Sequence, residues 1–600
     1  MTKRNPGTAL HVSARPSPEA VRAQVDKILA SRLFARSERL CRFLRFCVEH
    51  TLQEKDEQLK EQLVGVEVFD RRGDYDPRID PIVRVEARRL RSKLKAYYTS
   101  SGRPDYLLIE LPKGAYIPAF RIRNVAQSAS QAVRPQPTSN DATEERSIAV
   151  LPFTNLTPEA GADYFSDGLT EELIHLLTRI PRLRVVAWSS MSQLRGREQD
   201  LAGIRQQLKV ATVLRGSVRQ TPGRVRVTAQ LIDAESGAYL WSEAYDRQLE
   251  NVLAIQEEMA RAIVDTLRLS LAWRGGFTQQ ASNLACYNLC LQGRFHANKR
   301  TGDGLRQSAI CFEQAIAADD HSAVAYAGLA DTYSLLTELG FLDPTQATPK
   351  ARAAAEKALT LDPGSAEAHV SLAFVRSLFE WDWAGAEPLY RKAIALNPGY
   401  SRARHWFGND FLALLGRFEE ALAEMRTARH LDPLSPVLVD GCGYVKMMQR
   451  DYAGALEEYD KLFQLDPMFY RGYSAKARVL SLMGRYEESI ALFERARALG
   501  GDVPLLLAAL GDTLARAGFV WEARSLLDEL QSAAKTRWIP AVSFAIVNIG
   551  LGDHQAALDH LEIACDRREM VGGLKVHPAY DPLRSEPRFQ RILKRIGFLP

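Results

Sequence analysis

Between Arg84 and Lys95 the chain sets six cations, Arg84, Arg88, Arg89, Arg91, Lys93 and Lys95, against one carboxylate, Glu86. At 100° per residue, Arg84, Arg88, Arg91 and Lys95 fall on one stripe of a helix, with Arg89 and Lys93 on the opposite shoulder. A solvated surface helix alternates its signs to gain i,i+4 pairs, whereas this face repels itself unless an anion lies against it. Guanidinium and ammonium groups in such a row suit phosphates, and guanidinium also suits the edge of guanine. Lys113 follows in the turn Pro112-Lys113-Gly114 and is a further candidate for a phosphate.

The elements that must hold these residues are legible nearby. Asp80 can cap a helix and Pro81 suits its first position. Val83, Ala87, Leu90, Leu94 and Tyr97 form its apolar stripe. Two helical patterns precede it, one from Ser17-Pro18 to Leu29 and one from Ser37 to Leu52. Two strands are expected after it, Tyr106–Leu111 and Tyr116–Phe120. Helices, a basic helix and then a hairpin are the order of a winged helix-turn-helix. The stretch "DPIVRVEARRLRSKLKAYY…DYLLIELPKGAYIPAF" resembles the DNA-binding domain of OmpR/PhoB-type regulators, through Arg89-Leu90-Arg91, Leu94, Gly114 and Tyr116. The resemblance implies double-stranded DNA as partner and a homodimer as a possible assembly. It places Arg84, Arg88 and Arg91 in the groove, Arg89, Lys93 and Lys95 nearer the backbone, and Lys113 on the wing.

Charge is distributed to match. Residues 1–125 carry 25 Lys+Arg and 16 Asp+Glu, a net of +9, while the rest of the chain sums to −4. Across 600 residues, 46% hydrophobic and 25% charged content is that of a folded multidomain protein. No stretch reaches the ~18 apolar residues of a membrane helix, and the first residues lack the apolar run of a secretory signal. Seven scattered cysteines fit a reducing compartment, so a cytoplasmic location away from membranes is expected.

Other chemistry-bearing groups read as structural. Asp70, Asp74, Asp76 and Asp80 lack the glycine and terminal glutamate of a calcium loop. Cys286 and Cys290 lack a third ligand. Asp167, Glu171 and Glu172 are expected to be capping and solvated acids at a helix start, and Gly168 stands alone. With no nucleophile triad, Walker motif or zinc signature, an enzyme is not expected, and neither a cofactor nor a metal is implied.

Residues 123–146 are polar and rich in Ser, Ala, Gln and Pro, the composition of a flexible linker after a domain at 17–122; residues 1–16 read as a disordered tail. Unlike membrane-bound regulators of the CadC/ToxR kind, the chain has no apolar span after the basic domain. From Ser147, strand, helix, strand and helix patterns lead to three strands joined at Pro222-Gly223 and Ser236-Gly237, then a helix from Val252 to Leu271. "IAVLPFTNLTPE" and "DGLTEELI" resemble the TolB amino-terminal-like domain, giving an α/β domain over 147–275. Pro363, Pro398, Pro433 and Pro467 then recur at spacings of 35, 35 and 34, each behind an Asp or Asn. With small residues paired 12 apart, such as Gly443 and Ala455, this period resembles tetratricopeptide repeats. About eight units are expected over 280–575, with a cap over 576–600, stacked as an all-α solenoid.

The expected fold is multidomain: winged helix, α/β domain, repeat solenoid. The expected function is a DNA-binding transcriptional regulator whose repeat groove holds a protein or peptide partner. The alternatives are an interaction scaffold without DNA, or an accessory protein of a nucleotide-cyclase pathway, since similar domains accompany cyclases. The repeats are expected to be removable without unfolding the domains before them.

Overall fold

The computed structural model describes residues 16–31, 34, 37–53, 55–71, 75, 82–99, 105–112, 115–122, 146–157, 163–180, 182–197, 200–248, 252–267 and 283–598. The chain divides into two compact units, residues 1–137 and 138–600. Residues 1–15 and 123–145, expected to be tail and linker, lie outside the described residues.

The first unit begins with α1 (Pro18–Leu29), whose Pro18 fits the first turn and whose cap Ser17 accepts a hydrogen bond from the Ala20 N–H at 3.3 Å. Next come α2 (Glu38–Leu52), α3 (Glu61–Phe69) and the basic helix α4 (Ile82–Thr99). Two strands come next among the described residues, β1 (Leu107–Glu110) and β2 (Ala119–Ile122), antiparallel with Leu107 opposite Ile122. The apolar stripe of α4 is buried as its spacing requires: Val83, Ala87, Leu90, Leu94 and Tyr97 pack with Val21, Phe43 and Val64 in one core. A polar knot backs this core. Asp105 accepts from the Tyr97 hydroxyl at 2.8 Å and Gln24 Nε2 at 2.6 Å, and pairs with Lys27. Burial, and then the Asp105 hydrogen bond, raise the Tyr97 phenol above its usual range.

The second strand departs from expectation. It starts at Ala119, not Tyr116. Pro118 has no N–H to give a ladder, the Tyr116 ring lies 6.4 Å from that of Phe43, and the Ala115 carbonyl is engaged by α4. Asp80 and Pro81, the expected cap, lie outside the described residues.

The second unit opens with a mixed sheet. Its strands are β3 (Ser147–Val150), β4 (Thr154–Asn155), β5 (Arg184–Val185), β6 (Thr212–Thr221), β7 (Arg224–Asp233) and β8 (Tyr239–Gln248). The order is β5-β3-β6-β7-β8, with β4 also on β6; β5, β3 and β6 are parallel, and β6, β7 and β8 antiparallel. The two expected turns form, with Gly223 and Gly237 at φ of 74° and 65°. The helices of this part are α5 (Asp163–Thr178), α6 (Trp188–Ser192), α7 (Leu201–Leu208) and α8 (Val252–Thr266).

Among the described residues eight helix pairs come next. They are α9 (Leu284–Ala297) with α10 (Gly302–Ala318), α11 (Ala323–Glu338) with α12 (Pro344–Leu361), α13 (Ala366–Val375) with α14 (Trp383–Leu396), and α15 (Ser401–Phe407) with α16 (Phe418–Leu431). Then come α17 (Pro436–Met448) with α18 (Tyr452–Leu465), α19 (Tyr470–Leu482) with α20 (Tyr486–Gly500), α21 (Pro504–Arg516) with α22 (Val520–Ala533), and α23 (Ala541–Gly550) with α24 (His554–Asp566). Each recurring proline sits two residues past a second helix, at the ends of α12, α14, α16 and α18, where it cannot continue the helix. The small residues allow close approach: the Ser489 hydroxyl donates to the Ala477 carbonyl at 2.7 Å, and Gly443 faces the Tyr459 ring. A last helix, α25 (Pro587–Arg595), comes after short 3-10 turns.

The α/β part is not a separate body from the solenoid. Tyr287 and Leu291 of α9 belong to the core of the α/β part. A Cβ on Gly168 would stand 2.8–3.0 Å from the Leu291 side chain, so this glycine is where α5 and α9 touch. The repeats are expected to be removable without unfolding the domains before them; the α/β domain nevertheless shares its core with the first repeat.

Candidate nucleic-acid interface

The face of α4 away from the core carries Arg84, Val85, Arg88 and Arg89, all exposed. Arg84 pairs through Nε with Glu61 of α3 at 2.9 Å, yet keeps 54% of its side chain exposed. Arg89 pairs with Glu86 at 2.7 Å and is 67% exposed. Arg88 has no hydrogen-bond or ion-pair partner among the described residues. Val85, 45% exposed, adds an apolar spot between the cations. This surface can accept a phosphate row, with Arg88 free to reach furthest.

Two expected contacts turn inward instead. The Arg91 guanidinium donates to the carbonyls of Leu111 at 2.9 Å, Pro112 at 3.2 Å and Ala115 at 2.9 Å, so it ties α4 to the turn of the hairpin. The Lys93 ammonium donates to the Ser37 hydroxyl and stands 5.6 Å from the centre of the Phe34 ring, on the flank next to α2. The reason is angular. Arg91 and Lys93 lie on either border of the apolar stripe, where a long side chain reaches neighbouring backbone sooner than solvent. The Lys95 side chain and Lys113 lie outside the described residues.

The acids of the second unit also differ from expectation. Glu172 pairs with Arg294 of α9, and Glu171 accepts from Asn298 at 3.0 Å. Burial pushes the Glu171 carboxyl upward, against the pull of Arg294. Asp167 is buried and pairs with Arg195. These residues are joints between α5 and its surroundings rather than solvated acids at a helix start, because α5 begins at Asp163 and docking on α9 covers its middle. Their types carried no signal of that docking.

The joint extends along the ends of α14 and α16 and the start of α13. Ser189 and Ser190 donate to the Asp432 carboxylate, whose pKa burial nonetheless raises. Arg184 donates to the His430 carbonyl at 2.8 Å, the Ala187 N–H to the Leu431 carbonyl at 2.9 Å, and Asn397 to the Thr178 hydroxyl at 3.1 Å. His175 meets Glu367 at 2.9 Å. Sequence reasoning missed Arg184, Arg294 and Asp432 as joints. Asp432 repeats the Asp of each helix end, so nothing set it apart from Asp362 or Asp466. Part of the repeat surface therefore holds the protein's own α/β part.

Further along, the carboxy-terminal segment crosses the solenoid. Trp383 donates to the Ile596 carbonyl at 2.8 Å and stacks on Phe598 at 4.8 Å. Arg450 pairs with Asp581 at 2.8 Å.

Cys286 and Cys290 are both buried. The hydrogen bond from Cys290 brings the Cys286 thiol down to about 7. Among the described residues the one group of three candidate metal ligands is Asp319, Asp320 and His321, which includes neither cysteine. Among the described residues no helix is long and apolar enough to cross a membrane.

Comparison with known proteins finds similarity for part of the chain. Residues 144–262 match the model of the second domain of HilA/YgeH-like transcriptional regulators. The chain is 43% identical over 125 residues to "Putative adenylate cyclase 3" of Rhizobium meliloti (strain 1021), across 21% of each chain. It is 26% identical over 164 residues to the transcriptional regulator HilA of Salmonella paratyphi A, across 27% of this chain and 29% of HilA. The chain thus spans less than a third of the length of these curated relatives. A solved structure of PilF from Pseudomonas aeruginosa overlaps 38% of this chain and 96% of its own, at 25% identity and a TM-score of 0.29.

Proposed function

We propose that the protein is a transcriptional regulator that binds duplex DNA through α4 of a winged helix-turn-helix in its first unit. The observation that carries this reading is the outward face of α4: Arg84, Arg88 and Arg89 are exposed, and Arg88 is unpartnered among the described residues. A row of this kind neutralises phosphates and releases their counterions. The match of residues 144–262 to a domain of HilA/YgeH-like regulators supports the same class from the other unit. Arg88 is the reader of base edges and Arg84 and Arg89 lie along the backbone. Arg91 and Lys93 hold the helix in place. The TolB-like α/β part and the repeats form one regulatory unit, which takes a protein or peptide on the surface its own segments leave open. The protein acts in the cytoplasm, as a homodimer on its site, and has no catalytic chemistry of its own.

The 43% identity to a protein named as an adenylate cyclase favours a second reading, an accessory protein of a nucleotide-cyclase pathway. Chromatin immunoprecipitation with sequencing separates the two. Discrete promoter peaks that vanish in Arg88→Ala are expected of a regulator; an even background with the unaltered protein would leave the second reading.

A further inference from the structure

Residues of α11, α17, α19, α21 and α23, with Asp410 and the segment from Glu569 to Tyr580, line a cavity of about 220 Å3. That is room for about seven water molecules, enough for a small metabolite.

Its polar wall is short of partners. Glu338 Oε2, Asp410 Oδ2, Arg478 Nε and Trp538 Nε1 are all shielded from solvent, and none has a hydrogen-bond partner. Buried polar atoms are paired in the great majority of cases, so four orphans around one cavity ask for an explanation. The second oxygen of Asp410 accepts from Asn409 at 2.7 Å, which leaves the first aimed at nothing. Asp410 lies on a π turn, Gly408–Leu412, that interrupts the helix after α15. Such turns are rare and recur at functional sites. Burial first, and Glu338 next, push the Asp410 carboxyl well above its usual range, although Arg471 and Arg300 pull the other way. Among the described residues no ion pair joins Arg478 to either acid. Leu378, Leu414 and Ile546 supply an apolar wall between them.

We propose that this cavity binds a free amino acid. The ammonium sits at Glu338 and Asp410, the carboxylate at Arg478 and the Trp538 N–H, and the side chain against the leucines. A zwitterion sets opposite charges against the acids and against Arg478, which a simple amine or a simple carboxylic acid cannot do. The site belongs to the solenoid alone, so it stands whether or not the first unit binds DNA.

The test uses the full chain and the twenty proteinogenic amino acids, each added singly in thermal unfolding and then in calorimetric titration. At least one is expected to raise Tm in a concentration-dependent way, as a ligand of the folded state must. Its amide and its N-acetyl derivative, each lacking one charge, are expected to bind at least tenfold more weakly. Glu338→Gln and Arg478→Met are expected to weaken binding similarly. The two derivatives probe the same interactions without altering the protein, should a variant unfold. Failure of all twenty to bind, or equal binding of the amide and N-acetyl forms, would overturn the proposal.

Discussion

Arg88 and Arg91 stand three positions apart on α4 and meet different surroundings. Arg88 projects into solvent, and Arg91 holds three carbonyls of the hairpin turn. Their substitutions should therefore separate two kinds of loss. Arg88→Ala is expected to leave the unfolding of the first unit unchanged and to weaken specific DNA by about 1–3 kcal/mol, the range for a base-edge contact. Arg91→Ala removes hydrogen bonds from partly buried carbonyls. Loss of about 1–2 kcal/mol of stability is expected, which is a fall in Tm on the order of 4–8 °C for a domain of this size. Thermal unfolding of residues 1–137 beside fluorescence anisotropy would read both. If Arg91→Ala weakened DNA binding without lowering Tm, Arg91 would be a contact after all.

At the scale of elements, the docking of α5 on α9 decides how the second unit behaves. The α/β core includes Tyr287 and Leu291, and full burial of such side chains stabilises by about 1.5–3 kcal/mol each. A fragment ending at residue 267 loses both and leaves Glu171 and Glu172 without Asn298 and Arg294. It is expected to unfold at a clearly lower temperature than a fragment of residues 146–598, in thermal melts followed by circular dichroism. Equal melting would contradict the shared core. Gly168→Ala in the intact chain tests the same contact from within. Its Cβ would press on Leu291, and overpacking of this kind destabilises by about 1–3 kcal/mol.

These elements also show what a sequence can and cannot disclose. The helix around Arg88 was legible because its apolar stripe repeats at helical spacing, and the eight helix pairs because Pro and small residues recur at a fixed period. Both signals are local. The start of β2 was misplaced because Tyr116 looks like a strand residue, and its ring is drawn instead to Phe43. The joint between Ser190 and Asp432 was invisible, since the two residues are 242 positions apart and each has an ordinary local reason for its type. Inward turning of Arg91 was hidden for a related reason: a stripe at 100° per residue places a Cβ, and the far end of an arginine is free to choose.

For the whole molecule, the division of charge matches the division into units. The residues of the basic amino-terminal quarter sum to +9 and the others to −4, so the field that attracts a polyanion belongs to the first unit. The measurement that bears most directly on the DNA-binding reading is the salt dependence of duplex binding by the full chain, followed by fluorescence anisotropy on a random duplex. With ~4 neutralised phosphates the slope of log K against log salt is about −3.6, a loss of roughly 150-fold between 50 and 200 mM. Arg84→Ala with Arg89→Ala is expected to bring the slope nearer zero by about 2. A flat response, or no binding at 50 mM salt, would contradict DNA binding through α4.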